Sequence, residues 1–137
     1  MQHQEAEQAH QTALAHHQGR RNQAVNYVEA RKLYVQAASQ GHAAAAFGLG
    51  LIYYHGQGVK ADNRQAAYWF EQAAEQGHAE AQYHLARLYY YGQGVVANLP
   101  IACTWLQAAI ENGYENPQVF QYLLDKWQRE AGLTSSK

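Results

Sequence analysis

A single cysteine, Cys103, leaves no partner for an internal disulfide and no cysteine cage for a metal. Proline is confined to Pro100 and Pro117, so glycine is left as the main breaker of helical pattern. No apolar run approaches the roughly 18 residues that a membrane-spanning helix requires, so membrane insertion is not expected. Charge is sparse and balanced, with 10 Lys+Arg against 11 Asp+Glu and no basic stripe. Nucleic acid is therefore not expected as a partner. Serine occurs only at Ser39, Ser135 and Ser136, none with a base at a useful spacing. No Ser/His/Asp or Cys/His grouping emerges, so no catalytic residue is assigned and the chain reads as a non-enzyme. The amino terminus, Met1 to Glu5, is polar and has no apolar signal core. As written the chain reads as cytoplasmic, or as periplasmic or secreted where Met1 replaces a removed signal peptide.

What is abundant is alanine and tyrosine, with 11 Tyr in 137 residues, a mixture suited to closely packed helices. Gly56-Gln57-Gly58-Val59 recurs 36 residues later as Gly92-Gln93-Gly94-Val95. Residues 43–78 laid on 79–114 without gaps agree at 15 of 36 positions. Residues 25–42 agree with 61–78 at 7 of 18. Self-similarity at such a period is the signature of a repeat architecture.

Within each unit the apolar spacing is helical. Ala45, Leu49, Ile52 and Tyr53 form one stripe, and Ala81, Leu85, Leu88 and Tyr89 form its copy. The second helices bury Ala66, Trp69, Phe70, Ala73 and Ala74, then Ala102, Trp105, Leu106, Ala109 and Ile110. Gly56 and Gly92 permit the reversal between the helices, and Val59 plugs the corner. Asp62 and Asn98 are placed to cap the second helices, with Pro100 in the first turn. Gly41, Gly77 and Gly113 end them.

The expected fold is all-α: an α-solenoid of helix–turn–helix pairs with a 36-residue repeat. Residues 1–24 read as a polar, solvated helix or lead-in, interrupted at Gly19 to Asn22. Residues 25–42 read as the second half of a degenerate repeat, and 43–78 and 79–114 as full repeats. Residues 115–131 read as a capping helix with Val119, Phe120, Leu123, Leu124 and Trp127 apolar, and 132–137 as a flexible tail.

The residues that this packing leaves unexplained lie on the opposite side of each first helix. They are Phe47, Leu51, Tyr54 and His55 in one repeat, and Tyr83, Arg87, Tyr90 and Tyr91 in the next. Stacked side by side, these stripes make an aromatic groove with an arginine, the composition of a protein-binding surface. The alternative is that the amino-terminal segment, closure of the superhelix or self-association covers them. No cofactor and no metal is expected. His3, His10 and His17 share a helix face but stand roughly 10 Å apart. His42 and His78 read as residues after a helix end that contact solvent or the next turn, and Glu71 and Glu75 as a solvated face.

The pattern resembles the Sel1-like repeat family, a relative of the tetratricopeptide repeat. Ala45, Leu49, Gly50, Tyr53, Gly56, Gly58, Val59, Asp62, Ala66, Trp69, Ala73, Ala74 and Gly77 carry the resemblance. Ala81, Leu85, Ala86, Tyr89, Gly92, Gly94, Val95, Asn98, Ala102, Trp105, Ala109 and Gly113 carry it again. It implies a right-handed superhelix acting as a scaffold or adaptor, in a bacterial or signalling context. The implied partner is a protein or peptide held in the concave groove, by a monomer or weak homodimer. Two other functions fit: a homo-oligomeric structural element, and the β-lactam or peptidoglycan hydrolase described for some cysteine-rich relatives. The cysteine pairs of those relatives are missing here.

Overall fold

The computed structural model describes residues 2–18 and 26–133. The expected interruption at Gly19 to Asn22 and the last four residues, with Ser135 and Ser136, lie outside them. Seven helices make up the described residues: α1 (Gln2–Gln18), α2 (Tyr27–Ser39), α3 (Ala43–His55), α4 (Asn63–Ala74), α5 (Ala79–Tyr91), α6 (Leu99–Glu111) and α7 (Pro117–Glu130). Each packs chiefly on the helix before and after it. That nearest-neighbour order is what makes a solenoid, with each added helix closing the apolar face its predecessor leaves open.

The helix starts follow from local chemistry. Asp62 accepts from the backbone N–H groups of Arg64 and Gln65, and Asn98 accepts from that of Ile101. Their own N–H groups donate to Tyr53 and Tyr89 carbonyls, both at 2.9 Å, which pins the second helix to the first in both repeats. His42 and His78, expected to contact solvent or the next turn, do the latter as N-caps. The Nδ1 of each accepts from an N–H three residues on, Ala45 and Ala81, at 3.1 Å. Only an imidazole with a free lone pair on Nδ1 can do this, so both caps require neutral rings.

The core is three linked clusters at the junctions of successive helices. Alanines set the close spacing, and single aromatic rings fill what they leave. Tyr34 of α2 is 1 % exposed and Phe70 of α4 is 0 % exposed. Both press on α3, at Gly48 and Gly50 respectively, where any Cβ would enter the ring. In the next repeat Ala86 stands where Gly50 does, and Leu106 where Phe70 does. The smaller side chain there leaves room for a methyl group.

One expectation changes in the structure. Helix α1 is no solvated lead-in: Ala6, Ala9 and Ala13 are buried against α2 and α3. Helix α7 caps the last repeat with Leu124 and Trp127 buried, Phe120 and Leu123 half-buried, and Val119 exposed.

Gly94 takes φ +74°, and a Cβ there would run into the Asn63 carbonyl and the Arg64 nitrogen at the start of α4. These are backbone atoms of the preceding repeat and cannot swing away. Gly94→Ala is expected to destabilise the protein by roughly 2–4 kcal/mol, from left-handed strain plus this collision. Gly132→Ala isolates the strain, since Gly132 has φ +73° and open space around it. Urea denaturation of the two variants should separate them clearly; equal midpoints would mean that the turn does not rest on α4.

Candidate functional site between the first helices

Helices α1, α3 and α5 are the first members of their pairs, and their shared side carries a cleft of about 390 Å³. Helix α1 contributes His10, Leu14, His17 and Gln18. Ala44, Phe47, Gly48 and Leu51 of α3 form the opposite wall. Tyr34 from α2, Gln57 from the repeat turn and Glu80 at the start of α5 complete it.

A hydrogen-bonded chain organises its polar end. The Nε2 of His17 lies 2.9 Å from Gln57 Oε1, and its Nδ1 lies 3.0 Å from the Tyr34 hydroxyl. A carbonyl oxygen only accepts, so Nε2 carries the proton and Nδ1 accepts from Tyr34. Gln57 turns its amide nitrogen toward the Tyr27 hydroxyl, which orients its oxygen to His17. Burial pushes the Tyr34 phenol up to about 12, so it stays a donor. Edge-on contacts of the His17 ring with Tyr27 and Tyr34, both at 5.7 Å, hold it in place. At the rim, burial and then the nearby Glu115 carboxylate push the Glu80 carboxyl above its usual range.

The eight aromatic-groove residues divide. Leu51 is half-buried and lines the cleft, and Phe47 reaches it from the core. Only 9 % of Phe47 is exposed; its ring stacks on His78 at 4.8 Å and neighbours Phe70 and His84. Tyr54 is half-buried and His55 is exposed beside it. In the next repeat α7 and the loop before it cover much of the stripe. Tyr83 stacks on Tyr114 at 5.0 Å and meets Phe120 edge-on. Tyr90 stacks on Trp127 at 4.3 Å and donates its hydroxyl proton to Glu130. Arg87 lies over the Tyr83 ring, and Tyr91 is 60 % exposed. Tyr83 and Tyr90 are thus half-buried against α7 and the loop before it, not against the amino-terminal segment.

Sequence reasoning missed His10, His17, Gln57 and Glu80 as cleft residues and counted Tyr34 as core alone. The seven-residue histidine spacing was the visible signal, but their partners lie tens of residues away.

The described residues that line the cleft include no serine, threonine, cysteine or lysine. Cys103 is buried elsewhere, and its thiol is pushed up by burial and then by Glu130, away from the reactive thiolate.

Comparison with known proteins matches the Sel1 repeat family model to residues 9–42, 43–78 and 79–114. A comparison with curated protein sequences finds no match. Among solved structures, a Sel1 repeat protein from Oxalobacter formigenes is 29 % identical with a TM-score of 0.77 over 93 % of this chain and 48 % of that one. A protective antigen present in uropathogenic Escherichia coli strains, displaying an SLR fold, is 27 % identical with a TM-score of 0.78 over 96 % of this chain and 31 % of that one. The chain therefore spans about half the length of the first and a third of the second. Helicobacter pylori cysteine rich protein B is similar in fold, with a TM-score of 0.68 and 23 % identity over 82 % of this chain and 92 % of that one.

Proposed function

The chain belongs to the Sel1 repeat family, and from that premise we propose that it is an interaction module holding a peptide segment of a partner protein in the cleft between α1 and α3. Members of this family generally act as protein-interaction scaffolds. The observation that carries the finer reading is the make-up of the cleft, with an apolar wall at Phe47 and Leu51 of α3, apolar Leu14 on α1, and the ordered His17–Tyr34–Gln57 chain. Apolar walls with a few fixed polar groups are the usual lining of a ligand site. His55 and Tyr91, exposed on the same helices, extend the contact surface beyond the cleft. Tyr83 and Tyr90 tie α5 to α7 and the loop before it.

The test is selection of peptides from a displayed random library on the purified chain. Leu51→Glu places a charge on the apolar wall and should weaken selected peptides about tenfold or more. Tyr122→Ala, on the exposed side of α7 (70 % exposed), should not. Circular dichroism checks that both variants fold. Peptides that bind Leu51→Glu as well as the native chain would move recognition to another face.

A further inference from the structure

Glu7 and His10 stand three residues apart on α1, so both side chains leave the same helical face. His42, at the start of α3, reaches that face from 35 residues away in sequence and places its Nε2 2.7 Å from Glu7 Oε2. The His10 and His42 rings lie 4.5 Å apart between centroids. One donor atom from each of the three residues lies within 4.8 Å of the other two. His10 is 9 % exposed, and its Nδ1 is buried without a hydrogen-bond partner. A buried ring nitrogen in that condition calls for an occupant.

We propose that Glu7, His10 and His42 form a site for a late first-row divalent cation such as Zn²⁺. Two imidazoles and one carboxylate suit this class of ion, and three protein ligands leave a position for water or a partner's group. Glu7 is on the surface and free to adjust, so the donors can close to the roughly 2.0–2.2 Å metal bonds that zinc needs.

His42 has a second task that sets the character of the site. In the metal-free chain its Nδ1 accepts from Ala45 N–H, so Nε2 carries the proton that it gives to Glu7. A cation on Nε2 moves the ring proton to Nδ1 and withdraws the cap from Ala45. Loading the site therefore exchanges one helix cap and one hydrogen bond for the metal bonds.

The experiment uses the untagged full chain and Zn²⁺ alone, followed by calorimetric titration, with Co²⁺ as a visible-absorption probe. One equivalent should bind, raise the melting midpoint and be removed by chelator. His42→Asn keeps an N-cap oxygen but loses the imidazole, and Glu7→Gln keeps the hydrogen-bond acceptor toward His42 but loses the charge. Each should weaken binding at least about tenfold. His78→Asn makes the same cap exchange one repeat on and should leave affinity unchanged. Absence of stoichiometric binding overturns the proposal, and so does affinity that survives both His42→Asn and Glu7→Gln.

Discussion

Phe70→Ala is expected to cost about 3–5 kcal/mol, more than Trp69→Ala beside it. The sequence pattern ranks Trp69 with the core because Trp105 repeats it. Trp69 is only half-buried, whereas Phe70 is 0 % exposed at the junction of α3, α4 and α5. Its ring lies on Gly50, 5.6 Å from Phe47 and stacked on His84 at 5.3 Å. A glycine cannot lean in to fill the space that a lost ring leaves, so the cavity persists and the full penalty applies. Phe70→Leu combined with Gly50→Ala reproduces the Leu106/Ala86 pairing of the next repeat and should recover part of the loss. Urea melts followed by circular dichroism measure both. A larger loss for Trp69→Ala would mean that the aromatic wedge at this junction has been misassigned.

Stability is expected to fall by about 3 kcal/mol on His84 alone as pH drops from 6.5 toward 4. Burial first, and then Arg87, His55 and His78, push this imidazole down from an ordinary 6.5 to about 4. The rings of Phe47 and Phe70 enclose it. The neutral ring is the one the folded state favours, so its contribution is complete above pH 6.5. It is lost as pH falls through the folded value, because the unfolded chain takes up the proton first. Each unit of displacement is worth about 1.4 kcal/mol. His78 adds to the trend in the same direction. It too is pushed down, by burial and then by His42, and its protonation takes the acceptor from Ala81 N–H. The check is the pH dependence of the denaturation free energy between pH 7.5 and 4.5, compared with His84→Gln. That variant should have a distinctly flatter profile; a slope equal to that of the native chain would show that acid acts elsewhere.

The two effects meet at one place. Phe70, His84, Phe47 and His78 form a continuous aromatic stack between the second and third repeats. Phe47 at its edge also walls the cleft. A change that loosens the stack is therefore expected to disturb the binding face as well as the fold.

The helices and turns were legible because their causes are local. A 3.6-residue apolar period needs nothing beyond its own segment, and it marked the stripe Ala45, Leu49 and Ile52 that α3 buries and the closing helix that is α7. Asp62 and Asn98 cap the next turn of chain, and Gly56 and Gly92 take positive φ of 69° and 71° from constraints within a few residues. Helix α1 was harder to read. Its buried stripe is three alanines, a weak apolar signal that becomes a packing surface only when α2 and α3 lie against it. What the tertiary structure alone decided is which side chains share a space. Tyr83 and Tyr90 carry the same spacing as Phe47 and Tyr54, yet α7 packs on the first pair, whereas His78 and His84 cover Phe47 and Tyr54 stays half-buried. His17 meets Gln57 across 40 residues and Glu7 meets His42 across 35, distances set by how the repeats stack rather than by any period in the chain. Periodicity determines which face of a helix is apolar; only the neighbour that arrives determines whether the opposite face stays open.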